Sequence, residues 1–258
     1  MSGKQSGKDG TVEDRTPRTP HQLRGASFQA GRPVVPFLPH ASTGVNQLKL
    51  LTLQVEDKLR VDAPEAYVVT VTGADAGAGK SLTAITLGIL LAKKGERRVL
   101  IIEGDVWRPS FRKVLQVDPT MPDLIDLLSE GSTMTPEQAT ISVWAAGIDV
   151  ISIRDDHEQP DILISERFDQ LLAHVRSKYD VVILDSPPAY LSEGRMLVKK
   201  ADSALVVARA GRTKRSQIEE LLSEIPQERC LGLVLNDARL ESRQQKKYTA
   251  YYRSYYRR

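Results

Sequence analysis

The chain has 258 residues, enough for one sizeable α/β domain with extensions, and its 41% hydrophobic content is ordinary for a soluble globular protein. Its formal net charge of +3 comes from the ends: residues 1–40 hold six Lys/Arg against three Asp/Glu and residues 239–258 hold seven against one, leaving 23 basic and 29 acidic residues between. That balance gives the core no footprint for nucleic acid, the lone Cys230 excludes an internal disulfide and fits a reducing cytosol, and His21, His40, His157 and His174 lack metal-ligand spacing.

Residues 1–40 are rich in Gly, Pro, Ser, Thr and Lys/Arg without periodicity and read as a disordered basic arm. The opening "MSGKQSGKDG" is polar and is no secretory signal. "TGVNQLKLLTLQVEDKLR" spaces apolar residues at 45, 48, 51, 53 and 55, which favours a helix, although the alternation also admits a strand. A regular series follows. "AYVVTVT" is a buried strand, "KSLTAITLGILLAKKG" a helix stopped by Gly95, and "RVLIIEGD" a second strand. "PDLIDLLSEG" is a short amphipathic helix and "GIDVISI" a strand. "DILISERFDQLLAHVRSKY" reads as one long helix, and "DVVILDSPP" as a strand stopped by two prolines. "ADSALVVARAG", a helix from "KRSQIEELLSEI" and "CLGLVLND" complete the series.

Val/Ile/Leu strands alternating with amphipathic helices predict an α/β fold, a mostly parallel sheet with helices on both faces. The domain spans residues 41–238, and 239–258 form a flexible tail. The most apolar helix, around "LTAITLGILLA", is too short to span a bilayer. A role at a membrane therefore requires another molecule to hold the chain there.

Ligands of such sheets sit beyond the carboxyl ends of the strands. After the first strand comes Gly73-Ala-Asp-Ala-Gly-Ala-Gly-Lys-Ser81, which ends in "GAGKS" at a helix N-terminus. Glycines there let backbone amides approach phosphate oxygens, and the helix adds its positive end. Ala76, Gly77, Ala78, Gly79, Lys80, Ser81 and Leu82 form the expected cradle for ATP. Lys80 reaches the β- and γ-phosphates and Ser81 holds Mg²⁺. The usual spacing asks for glycine at position 74, where this chain has Ala74. "VLIIEGDVWRPS" puts Glu103 and Asp105 past the second strand, and "VVILDSPP" puts Asp185 past a later one. Aspartates after strands are also ordinary turn residues. Converging on the loop instead, Asp105 and Asp185 complete the Mg²⁺ site with Ser81, and a remaining acid, Glu103 among them, takes a proton from an attacking hydroxyl.

These three stretches resemble the Walker A, Walker A′ and Walker B motifs of bacterial tyrosine kinases, P-loop autokinases of capsule and exopolysaccharide synthesis related to MinD/ParA-type ATPases. The likeness covers roughly residues 45 to 258. Ile183-Leu184-Asp185-Ser186-Pro187-Pro188 meets the family's apolar D-x-P-P in full. Asp75 stands where MinD-type loops carry an extra lysine, and Ala76 where the family usually has proline. In the A′ motif Glu103 replaces the first aspartate, Asp105 is kept, and Trp107 takes an arginine position with Arg108 beside it. The resemblance implies a MinD/ParA-like P-loop fold, catalysis by Lys80, Asp105, Glu103 and Asp185, and adenine contact by Asn236. It also implies a separate transmembrane chain-length regulator as activator, a phosphotyrosine phosphatase, self-association, and a cytoplasmic position at the inner face of the membrane through a partner. Of the family's oligomerisation helix, Asn46-x-x-Lys49-x-x-Thr52 keeps at most one charge of three.

The chain ends "KKYTAYYRSYYRR", with five of its eight tyrosines, Tyr248, Tyr251, Tyr252, Tyr255 and Tyr256, set among arginines. Such a tail could be a sticky end or stack on RNA. After a phosphate loop and a D-x-P-P strand it reads better as the phosphoacceptor of an autokinase. An ATP-binding regulatory module without kinase activity and a partitioning-type ATPase remain the other readings.

Overall fold

Most of the Val/Ile/Leu runs become strands buried on both faces, while "CLGLVLN" leaves Leu233 and Leu235 exposed. The computed structural model describes residues 43–58, 65–95, 97–155 and 159–238. The basic arm and the tyrosine-rich tail with its five candidate acceptors lie outside the described residues. The chain runs α1 (Thr43–Lys58), β1 (Tyr67–Thr72), α2 (Lys80–Gly95), β2 (Val99–Glu103), α3 (Phe111–Leu115), α4 (Leu124–Leu128) and α5 (Pro136–Ala139). It continues through β3 (Ile141–Val143), β4 (Ile148–Ile151), α6 (Glu166–Arg176), β5 (Val181–Asp185), α7 (Ser192–Lys200), β6 (Ser203–Arg209), α8 (Arg215–Ser223) and β7 (Cys230–Asn236).

The seven strands form one sheet in the order β3-β4-β2-β5-β1-β6-β7. Every neighbouring pair is parallel except β3 with β4, which pair antiparallel at one edge. This is the α/β P-loop architecture the alternating pattern predicts. The order places β5 between β1 and β2, with Val71 and Glu103 both in register with Asp185. The carboxyl ends that carry the phosphate loop and the acids therefore lie side by side.

Helices cover both faces. α1 and α2 pack on one, where Leu87, Ile89 and Leu91 meet Val69, Val71, Ile101 and Ile183. On the other, α6 buries Phe168, Leu171, Leu172 and Val175, the i, i+3, i+4, i+7 stripe of an amphipathic helix, against Leu100, Ile102, Val182 and Leu184.

Several elements differ from the sequence reading, among them the short helices α3 and α5, which have no counterpart in it. The expected long helix over "DILISERFDQLLAHVRSKY" is a 3₁₀ turn, Pro160–Ile164, followed by α6. Ser165 divides them: in extended conformation, its hydroxyl accepts from the Phe168 N–H as an N-cap, a role that competes with a helix interior. Helix α7 was not expected, because "SEGRMLVKK" carries a glycine and a short apolar run. Gly194 is there for proximity: a Cβ on it would sit 2.5 Å from the Pro188 carbonyl oxygen, so α7 lies directly on the double-proline turn. Strand β3 is three residues long, below what periodicity can register.

Candidate active site

Between β1 and α2 the chain turns through Gly77 and Gly79, with φ of +73° and +98°. At Gly79 a side chain is excluded twice, by that conformation and by Asn236, whose Nδ2 would lie 2.0 Å from an added Cβ. Helix α2 starts at Lys80, so the loop amides are those of a helix N-terminus. The Thr83 N–H and hydroxyl both donate to the Gly79 carbonyl, at 3.0 and 2.8 Å, and fix that turn.

Lys80 is only 4% exposed. Its Nζ donates to the Asp75 carbonyl at 3.3 Å. Burial holds its pKa below the usual lysine range, opposed by the charges of Asp105, Asp185 and Asp75. Asp185 is wholly buried, and neither of its oxygens has a hydrogen-bond partner. Burial pushes its pKa up to about 7, with the Asp105 charge adding to the rise. The Ser81 hydroxyl is near enough to lower it, although outside hydrogen-bond geometry, and so is Lys80. Asp105 is also buried; its Oδ1 accepts from the Arg108 N–H at 3.1 Å. Burial raises its pKa and Lys80 works against the rise.

A buried carboxylate with both oxygens unpartnered is costly unless something else binds it. With the hard oxygens of Ser81 and Asp105 beside it, Asp185 fits Mg²⁺, an ion that takes few protein ligands and keeps waters and phosphate oxygens. A denser cage, three or more His, Cys, Asp or Glu together, is absent among the described residues.

Glu103 has a different environment from the one expected of a catalytic acid. It is fully buried at the end of β2, and its Oε1 accepts from the Ser110 and Phe111 N–H groups at 2.5 and 2.8 Å. Oε2 accepts from the Ile153 N–H at 2.9 Å. Burial pushes its pKa up to about 8 against those three donors. All three neighbours donate and none accepts, so the hydrogen bonds favour the ionised form that burial opposes. Both oxygens are therefore committed to backbone. The extra methylene relative to aspartate lets the group reach past its own strand to the start of α3 and the end of β4.

Trp107, at the family's arginine position, is 45% exposed. The neighbouring Arg108 charge is close enough to act on both Lys80 and Asp105. Arg212 is a second cation: an added Cβ on Gly77 would stand 3.6 Å from its Nη1, so the guanidinium rests over the loop. Only the sheet order, with β6 beside β1, brings it there. Asn236, expected at adenine, donates from Nδ2 to the Ala78 carbonyl at 2.9 Å and ties β7 to the loop. Ala78 is buried, Ala76 half-buried and Leu82 exposed. The double-proline turn is anchored in the same place: the Ser186 hydroxyl donates to the Val71 carbonyl at 3.1 Å and the Ala189 N–H to the Gly73 carbonyl at 2.9 Å.

A glycine loop at a helix start, a buried lysine and two strand-end aspartates beside the Ser81 hydroxyl define a P-loop nucleotide-binding domain. Comparison with known proteins gives the family: the sequence matches the AAA domain family AAA_31 over residues 66–229, and the chain belongs to that family. Its relatives include bacterial tyrosine kinases. It is 27% identical to the tyrosine-protein kinase ptk of Acinetobacter johnsonii over 88% of this chain and 31% of that protein. It is 28% identical to the tyrosine-protein kinase YwqD of Bacillus subtilis over 67% of this chain and 73% of that one. The chain thus spans about a third of the first relative's length. Among solved structures, the kinase domain of the Escherichia coli tyrosine kinase ETK superposes with a TM-score of 0.70 at 21% identity, covering 84% of each chain. The septum site-determining protein MinD of Pyrococcus horikoshii, complexed with Mg-ADP, gives 0.54 at 16% identity over 70% of this chain and 76% of that one. Those two likenesses establish the shared fold.

Proposed function

We propose that this chain is an ATP- and Mg²⁺-dependent protein-tyrosine autokinase of exopolysaccharide or capsule synthesis that phosphorylates its own C-terminal tyrosines. The observation that carries this reading is the buried, unpartnered Asp185 beside Ser81, Lys80 and Asp105, in a chain whose relatives are tyrosine-protein kinases.

Lys80, held near the loop by the Asp75 carbonyl, draws charge from the transferring phosphoryl group, and Arg212 and Arg108 add cations at the rim. Ser81, Asp105 and Asp185 would hold Mg²⁺, which would supply charge neutralisation on the phosphates. A phenol with pKa about 10 needs its proton taken as it reacts. Its oxygen bonds to the γ-phosphorus as the bond to the β–γ bridging oxygen breaks, ADP leaves, and the phenolic proton passes to the Asp105 oxygen left free of the ion. Glu103 serves as a positioning residue, because its oxygens already hold three backbone amides.

The acceptors are Tyr248, Tyr251, Tyr252, Tyr255 and Tyr256. Among the described residues no helix is long and apolar enough to cross a membrane. We place the protein at the inner face of the membrane through a separate transmembrane chain-length regulator, with a phosphotyrosine phosphatase to reset the tail.

The test is incubation of the purified chain with Mg-ATP, with and without an activator segment, and mapping of phosphotyrosine by mass spectrometry. Lys80→Met should abolish the signal; persistence would assign the phosphate to another kinase. The exposed Trp107 and the occupied Glu103 favour one second reading, an ATP-binding regulatory module, which predicts nucleotide binding with no phosphotyrosine in either condition.

A further inference from the structure

A shallow groove of about 170 Å³ opens beside the phosphate loop, between Ala74, Tyr190 after the double proline, Arg195 of α7, Gln217 and Glu220 of α8, and Glu224 just after it. Small-molecule sites start at about 300 Å³, so this one is too small for a nucleotide and has the size of a side chain. Tyr190 is 63% exposed, unusual for an aromatic ring at a site's mouth. Glu224 pairs with Arg195 at 3.0 Å and Glu219 with Arg215, which leaves the Glu220 carboxylate with no cation among the described residues. The groove is wired to the loop: Gln217 Nε2 donates to Asp75 Oδ1 at 3.3 Å, and the Asp75 carbonyl accepts from Lys80.

An aromatic face beside an unmatched carboxylate suits a guanidinium, which stacks on the ring while its N–H groups meet the acid. The chain supplies such groups close by. Asn236 is bonded to the loop, and the described residues stop two positions later, at Ala238. The twenty residues beyond carry seven Lys/Arg against one Asp/Glu. Fully extended, they reach about 65 Å, ample for this groove or for that of a second copy. In "YYRSYYRR" each arginine stands next to a tyrosine or one residue from it.

We propose that this groove is the docking subsite for arginines of residues 239–258, seated between Tyr190 and Glu220 so that a neighbouring tyrosine is presented to the phosphate loop. The proposal rests on the autokinase reading for its purpose, although docking itself needs no catalysis. It also contains its own release. Each phosphate adds about −1.5 to −2 charges, so modification turns the tail from attracted to repelled by α8.

The test places a photoreactive p-benzoylphenylalanine at Tyr190 in the full chain and maps crosslinks by mass spectrometry, with mixed isotope-labelled copies to tell a chain's own tail from a neighbour's. The expected product joins position 190 to residues 239–258, and Glu220→Lys lowers its yield about tenfold. Crosslinks elsewhere, no crosslink, or a yield indifferent to Glu220→Lys would overturn the docking site. Prior incubation with Mg-ATP should lower the yield as phosphotyrosine accumulates, and an unchanged yield with phosphotyrosine present overturns the release step. Groove-dependent crosslinks without any phosphotyrosine would leave the docking site standing and defeat the kinase reading alone.

Discussion

Glu103→Gln separates a strut from a catalytic base. The wild-type carboxylate offers two oxygens to three backbone donors, the N–H groups of Ser110, Phe111 and Ile153. A carboxamide has one oxygen. If it keeps Ser110 and Phe111, its NH₂ points at the Ile153 N–H, donor against donor, in a fully buried setting. An unsatisfied buried amide costs about 1–3 kcal/mol, and weakening the other two bonds from charged to neutral adds about 1 kcal/mol. The sum is about 2–4 kcal/mol. For a domain of this size each kcal/mol moves Tm by roughly 2–4 °C, so the melt should fall by about 5–15 °C. The assay is thermal unfolding with and without Mg-ATP, beside phosphotyrosine formation measured well below the lowered Tm. Activity there should fall modestly, through a displaced Asp105 loop. A variant that melts with the wild type and loses phosphotransfer entirely would refute the strut and return Glu103 to proton transfer.

Asp185→Asn should leave the Mg²⁺-free protein as stable as the wild type or more so, because it removes a buried carboxylate with no partner, while Mg²⁺-dependent ATP affinity falls at least about tenfold. Melting curves and a Mg²⁺ titration of nucleotide binding check both halves. Gly79→Ala forces an L-residue to φ near +98° and drives a methyl into Asn236. It should cost about 1–3 kcal/mol and most ATP binding, and Asn236→Ala on top should recover part of the loss, since only the clash is relieved. Asp180 offers a pH test: burial works to raise its pKa, but the hydrogen bonds and charge of Arg98 prevail and hold it below the ordinary value. A folded pKa below the unfolded one gives stability that is present at neutral pH and fades as pH falls below about 4. Asp180→Asn should therefore lower Tm by a degree or two at pH 7 and barely at pH 3.

Most of the framework was legible in the sequence because its signals are local. Strands buried on both faces are written as unbroken Val/Ile/Leu, and "GAGKS" between such a strand and a helix has few other uses. "ILDSPP" likewise carried its own context. Where local signals were weak or competing, the reading went wrong. Ser165 inside an apolar run hid an N-cap, Gly194 disguised α7 because its reason is contact with Pro188, and β3 was too short to show a period.

By itself, the sequence determined the class of fold, the phosphate loop and the identity of the acids at the strand ends, since each depends on residues adjacent along the chain. Tertiary structure decided what those residues do. Glu103 and Asp105 are two positions apart and of like charge, yet one is spent on the amides of Ser110, Phe111 and Ile153 and the other faces Lys80. Arg212 reaches the loop at Gly77, and Asn236 binds Ala78, because β6 lies next to β1 in the sheet and β7 next to β6. A carboxylate's role is set by which donors and cations surround it, and those come from distant segments, as the Ile153 N–H comes to Glu103 from 50 positions away in the chain.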